Sequence, residues 1–308
     1  TDVIQLVIYL SGTALAVALA LRALPGGWTE VSQLAAMHGD KLAVFNFDFN
    51  SHQPYLFWTG LVGGAFLSTA SHGTAQLIVQ RLLAARTLRQ SQAAVIASGV
   101  IVFFQFSLFL IAGAVLFAFY HRFPPATEFA RPDQVFPTFV VTQLPTGLAG
   151  LVVAAILAAA MANLSAAFNS LASSSVMDFY KPFVRPAADE KHYLRVSRLL
   201  TLVWGAILIF IAFLAQHLHR SVLELALTIA SVPYGSMLGI FLLGVLTKRA
   251  TGLGTAIGAF AGLMALLAVM GLTSIAWTWY TAIGTVTTFI VGWLVSILVA
   301  PPETASGQ

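Results

Sequence analysis

The chain has no cysteine among its 308 residues, which excludes disulfides and thiolate-held metals outright. Charge is nearly as scarce. Asp, Glu, Lys and Arg make up 8% of the sequence and hydrophobic residues 58%, with a mean hydropathy of +0.88. A soluble domain is not that poor in charge, so the composition places the chain among polytopic membrane proteins. Carboxylates at membrane depth are missing too. Asp2 and Glu224 fall near the ends of apolar stretches, and His72 is the one titratable side chain deep inside one. The acidic relay expected of a proton-driven carrier is therefore not among these residues. No nucleophile–base pair or acidic dyad can be assembled there either, so no enzyme is expected. The chain opens Thr1-Asp2-Val3-Ile4, without an initiator Met or a basic leader, and is expected to be a piece of a longer protein.

What is present is length and apolarity. Crossing about 30 Å of hydrocarbon takes about 20 apolar residues, and eight stretches qualify, at about 3–22, 56–80, 94–120, 146–177, 194–216, 222–246, 251–271 and 277–300. The expected fold is an all-α, polytopic membrane helix bundle of about eight transmembrane helices. The net charge of +4 marks topology and not nucleic-acid binding. Arg81, Arg86 and Arg89 follow the second stretch, Lys181, Arg185, Lys191, Arg195 and Arg198 the fourth, and Lys248 and Arg249 the sixth. Basic loops stay in the cytoplasm, so a multi-pass protein of the cell membrane with both ends of the chain cytoplasmic is expected. Segments 23–55 and 121–145 then lie outside, and Trp28, Trp58, Trp277 and Trp279 suit the outer interface. The first of these segments is rich in aromatics and reads as an external lid or as a linker lying on the headgroups. The second, with Pro124, Pro125, Pro132, Pro137 and Pro145, reads as a stiff connection.

Two stretches carry polar groups that lipid cannot satisfy. The fourth holds Asn163, Ser165, Asn169, Ser170, Ser173, Ser174 and Ser175. At about 100° per residue, Asn163, Ser170 and Ser173/Ser174 fall near one line, with Ser165 and Asn169 on the next. Small residues also serve close helix packing, but two asparagines in one span favour a site facing a neighbour or a hydrated cavity. The second stretch runs Gly60, Gly63, Gly64, Ser68, Thr69, Ser71, His72, Gly73 and Thr74 through an apolar background. Glycines and hydroxyls weaken a helix there and free backbone groups to face a cavity. A hydrogen-bonded structural imidazole is the alternative for His72.

These residues resemble the sodium:solute symporters, the family of sugar, proline and sialic acid carriers. Ser71-His72-Gly73-Thr74-Ala75-Gln76-Leu77-Ile78-Val79-Gln80-Arg81, followed by Leu83-Ala84-Ala85-Arg86, is similar to the family's broken-helix segment. Met161-Ala162-Asn163-Leu164-Ser165-Ala166-Ala167-Phe168-Asn169-Ser170, ending Met177-Asp178-Phe179-Tyr180-Lys181, is similar to its sodium-site helix. Tyr234-Gly235-Ser236 and Phe241 to Arg249 are similar to a later kinked span, and Thr1-Asp2-Val3-Ile4-Gln5 fits the fifth core helix.

The resemblance implies the leucine-transporter type of fold, in which two inverted five-helix repeats enclose one site. This chain would be the second half of such a transporter. It would form a single transmembrane domain over 1–308, with the second repeat at about 1–216 and trailing helices at about 222–300, and the missing N-terminal helices of the parent would be its partners. The implied function is symport of a small polar solute (sugar, organic anion or amino acid) with sodium, Na+, by alternating access. Gly64, Ser68, Ser71, His72 and Gln105 would bind substrate; for Gln105 and its neighbour Ser107, helix packing is the alternative. Ala159, Ala162, Asn163 and Ser165 would mark the sodium site. The family usually has two hydroxyls where Ala162 and Asn163 stand. Sodium takes oxygen ligands, so an Ala methyl removes at least one, leaving the Asn163 amide oxygen and the Ala159 carbonyl. Related members also carry an acidic residue where Ala75 stands, and aromatics where the sugar carriers stack a hexose are replaced by Ser71 and His72. The rival implied reading is a non-transporting membrane sensor or structural module on the same scaffold, extended by a signalling domain, of which Pro301 to Gln308 show nothing.

Overall fold

The computed structural model describes residues 2–39, 41–125, 127–215 and 221–299. Thr1, Asp40 and the tail from Pro301 to Gln308 lie outside the described residues. Among the described residues twelve α-helices follow one another: α1 (Asp2–Ala23), α2 (Gly27–Met37), α3 (Phe57–Thr74), α4 (Gln76–Leu83), α5 (Leu88–Arg122), α6 (Val135–Gln143), α7 (Thr146–Ser174), α8 (Lys181–Phe183), α9 (Glu190–Ala215), α10 (Val222–Leu246), α11 (Gly252–Leu272) and α12 (Tyr280–Val299). A π-helical turn, Ser175–Tyr180, carries α7 into α8 without interruption. No strand occurs among the described residues.

Among the described residues, seven helical stretches are long and apolar enough to cross a membrane, with α7 to α8 forming a single one of 38 residues. The chain is thus a multi-pass helical bundle. The sequence reading counted about eight spans, and the difference lies at 56–80, which is two helices and not one. Ala75 adopts an extended conformation (φ −71°, ψ 113°) between α3 and α4. The segments 23–55 and 121–145 are also more ordered than connections, since they contain α2 and α6.

The chain divides into two compact units, each assembled from separate stretches. The first comprises residues 1–42 and 104–221. Its core joins Ala16 and Ala20 of α1, Val31 of α2, Val115 and Phe119 of α5, Phe139 and Val140 of α6, and Val152 of α7. Phe119 meets Phe139 edge-to-face at 5.0 Å between ring centroids, a favoured aromatic geometry. At the far end of α7 the indole of Trp204 on α9 donates to Ser175 Oγ at 2.9 Å.

The second unit comprises residues 43–103 and 222–308, and its interior is built from small residues. Helix α11 presents Gly254, Gly258 and Gly262, one every four residues. Helix α12 answers with Gly284, Thr288, Gly292 and Ser296 at the same spacing, all buried. A Cβ at Gly258 would stand 2.6 Å from the Thr288 carbonyl oxygen and 2.7 Å from Gly292 Cα, so only hydrogen lets these backbones approach. Gly235 and Gly239 of α10 pack on Gly284 and Thr288 in the same way, and Thr285 Oγ1 donates to the Gly235 carbonyl at 3.1 Å. Thr251 caps α11 by accepting from Gly254 N at 3.1 Å, while its own N–H donates to Ser296 Oγ. Pro233 sits inside α10, which continues through it.

Candidate functional site

In the second unit, α3 starts where Thr59 closes a cap: its hydroxyl accepts from Leu56 N at 3.1 Å and reaches the Pro54 and Leu56 carbonyls. This fixes the helix phase. Gly63 then packs on the Thr278 backbone, while Gly60 and Gly64 have open space where a side chain would be. Positions 68, 69 and 72 share one face, and Ser68, Thr69 and His72 line a cavity of about 510 Å³ with Val95, Ser98, Gly99, Val102 and Phe103 of α5.

The imidazole is oriented from within its own helix. His72 Nδ1 lies 3.0 Å from the Ser68 carbonyl oxygen and 3.0 Å from Ser71 Oγ. A carbonyl only accepts, so Nδ1 carries a proton and Nε2 is the acceptor of the neutral ring. Ser71 Oγ donates to the same carbonyl at 3.1 Å. One turn of the helix thus holds the ring, and the next element is the break. Thr74 Oγ1 donates to the Ala70 carbonyl at 2.6 Å, and the Ala75 carbonyl receives Ile78 N and Val79 N, both at 3.0 Å. A helix that stops and restarts within one residue leaves orphan carbonyls on one side and orphan N–H groups on the other, the backbone chemistry by which discontinuous membrane helices bind ions and solutes.

Of the substrate residues expected from the sequence, Ser68 and His72 line this cavity. Ser71 orients the ring, Gly64 stands two turns of helix away from it on an open face, and Gln105 belongs to the first unit. Ser98 and Gly99 were not singled out from the sequence. Their signal was a small polar pair in the apolar run of α5.

In the first unit, Ala159 lines a different cavity, of about 470 Å³, walled mainly by apolar side chains of α1, α5, α6 and α7, among them Phe109, Leu116, Val135 and Val152. Thr13, on this wall, donates its hydroxyl to the Tyr9 carbonyl at 2.7 Å. Ala162, Asn163 and Ser165 do not line it and are exposed on α7. All four expected ion-site residues lie within two turns of α7, and of them Ala159 alone borders this cavity. The polar stripe of α7 is an open face over Asn163, Ser165 and Asn169.

The comparisons with known proteins bear on both helices. The family model of the sodium:solute symporter family matches residues 1–266. The human sodium/iodide cotransporter is 32% identical over 89% of this chain and 43% of its own length. The human sodium-coupled monocarboxylate transporter 1 is 31% identical over 85% of the chain and 43% of its own length. A sodium/sialic acid symporter of Proteus mirabilis is 26% identical over 99% of the chain and 62% of its own length. The chain thus spans less than half the length of the two human relatives. Among solved structures, a substrate-bound, outward-open Na+-coupled sialic acid symporter superposes with a TM-score of 0.79 at 24% identity, over 97% of this chain and 62% of that one. These relatives are transporters and not enzymes. With the family pattern running through the broken α3–α4 pair and the polar α7 alike, the chain belongs to the sodium:solute symporter family.

Proposed function

We propose that this chain is the second half of a sodium-coupled symporter that carries a small polar solute into the cell by alternating access. The observation that carries this reading is the break at Ala75 immediately after a hydroxyl- and imidazole-lined cavity. A solute there can accept from Ser68 and Thr69, donate to Ser98 Oγ, whose own proton goes to the Val95 carbonyl, and meet the His72 ring, while orphan backbone groups at the break supply further polarity without a buried side-chain charge. Gly64 leaves room for a solute beside α3, and Ser71 sets the imidazole.

Sodium would bind on α7 through the Ala159 carbonyl, the Asn163 amide oxygen and the Ser165 hydroxyl, with the Ala162 methyl contributing no ligand. Sodium is a hard cation and needs more oxygens than these three. The remainder would come from the part of the longer protein that precedes this chain, and the exposed stripe of α7 is where it would pack. On this reading residues 1–308 are a single transmembrane domain. With the broken α3–α4 pair crossing as a further span beside the seven, the basic residues that follow α4, α8 and α10 favour the cytoplasm for those loops and for both chain ends.

The test is solute uptake by the full-length protein in proteoliposomes, with external sodium against external choline. Concentrative uptake in sodium alone is expected. Equal accumulation in both media would sink the sodium coupling, and no accumulation of any sugar, organic anion or amino acid would sink transport itself.

A further inference from the structure

We infer that residues 44–50 form a strap lying in the bilayer interface, with its phenylalanine edge toward the acyl chains and its amide edge toward the headgroups. The sequence there is Val44-Phe45-Asn46-Phe47-Asp48-Phe49-Asn50, in neither helix nor strand. In extended backbone successive side chains point to opposite sides. Phe45, Phe47 and Phe49 then share one edge, and Asn46, Asp48 and Asn50 the other. Phe45 and Phe47 both border Phe57, and Phe49 borders Trp279. The Phe45 and Phe47 rings stack with centroids 5.9 Å and planes 12° apart. On the opposite edge, Asn46 Oδ1 accepts from Asp48 N and Asn50 Oδ1 from His52 N, both at 2.9 Å. The three phenylalanines are 64%, 61% and 76% exposed, and contiguous apolar exposure of this kind marks an interaction surface.

The anchoring points select lipid as the partner. Phe57 N donates to the Asn46 carbonyl at 2.9 Å and Trp58 Nε1 to the Phe47 carbonyl at 3.2 Å, which ties the strap to the first turn of α3. Ala276 N donates to the Ser51 carbonyl at 2.8 Å, just before α12. Tyr55 donates to the Glu224 carboxylate in the first turn of α10. The strap is therefore held level with the ends of α10 and α12, two of the helices long and apolar enough to span. That is the depth at which aromatic residues collect between hydrocarbon and water. The one charge in the segment, Asp48, lies on the polar edge. A segment with one apolar edge, one polar edge and a fixed depth meets both halves of the interface at once.

The test places single cysteines, one at a time, at positions 45 to 50 of the full-length protein in phosphatidylcholine nanodiscs. Spin labels on them are relaxed by oxygen, which partitions into lipid, or by a water-soluble nickel chelate. Oxygen should dominate at 45, 47 and 49 and nickel at 46, 48 and 50. Shielding of 45, 47 and 49 from both reagents would show that another part of the protein covers the edge, and nickel access at every position would show a strap standing in water. Either result overturns the inference. Phe47→Trp and Asp48→Trp repeat the comparison with an aromatic ring retained. Brominated acyl chains should quench the first more strongly than the second, and equal quenching would also overturn it.

Discussion

Helices α11 and α12 on one side and helix α7 on the other are rich in small residues and end in opposite states. In the first pair the small residues recur every four positions on both partners, so each glycine row finds a complementary row and closes on it. In α7 the alanines are as frequent, but Asn163, Ser165 and Asn169 interrupt them, and the helix face they form stays open. Helix α9 has no buried residue at all. Small residues by themselves thus do not say whether a membrane helix is a packing element. What decides is whether a second helix carries the matching period. A glycine seam is a finished interface, and an unmatched polar stripe is one that awaits a partner.

The strongest way to break this contrast is to fill the seam. Gly258→Leu drives a side chain into the backbone of Gly292 and Thr288, which cannot move aside as a flexible side chain would. Overpacking of this kind costs about 1–3 kcal/mol or more, so the variant should melt several degrees earlier in a detergent thermal melt, or fail to fold. Ala160→Leu, on the exposed face of α7, should shift stability by less than about 0.5 kcal/mol. Equal losses at the two sites would erase the distinction between closed and open faces.

The next test asks whether the open stripe holds an ion. In the full-length protein, sodium at 100 times its dissociation constant stabilises the bound state by about 2.7 kcal/mol, and Asn163→Leu should remove that increment while the helix remains inserted. Ala162→Ser with Asn163→Thr adds a hydroxyl oxygen and should lower the sodium concentration needed. An Asn163→Leu protein that still gains stability in sodium as the parent does would take the amide out of the ion site.

Much of this was legible in the sequence, and the parts that were not share a cause. Span positions follow from apolar length, and the helix break was readable because Gly73 and Thr74 end a run of helix-weakening residues. Its location at Ala75 depended on backbone geometry. The Ser68 and His72 pair was readable from a spacing of four within one helix, whereas Ser98 and Gly99 come from a distant helix whose phase no local pattern fixes. The glycine seam had a visible period of four in both α11 and α12, but its meaning lies in the match between two helices, which reading each one alone conceals. The four ion-site residues were legible only as one stretch of helix, and the structure places Ala159 on an apolar cavity wall while leaving the other three exposed.

The smallest expected effect concerns the hydrogen bond from Tyr55 to Glu224. Burial, the hydrogen bond to the carboxylate and the charge of that carboxylate together push the Tyr55 phenol from 10.0 up to about 12. A raised phenol favours the neutral, donating form, so what this bond contributes to the folded state is fully present below pH 10 and is lost as pH rises toward 12. Spectroscopic titration of tyrosinate should show one late-ionising residue that Tyr55→Phe removes. Glu224→Gln takes away the charge while leaving an acceptor, and should return Tyr55 part of the way toward its ordinary value. The glycine seam should be untouched by either change, and the melting temperature near pH 7 should barely move. A Tyr55 that ionises near 10 in the parent would mean that the strap is not latched to α10.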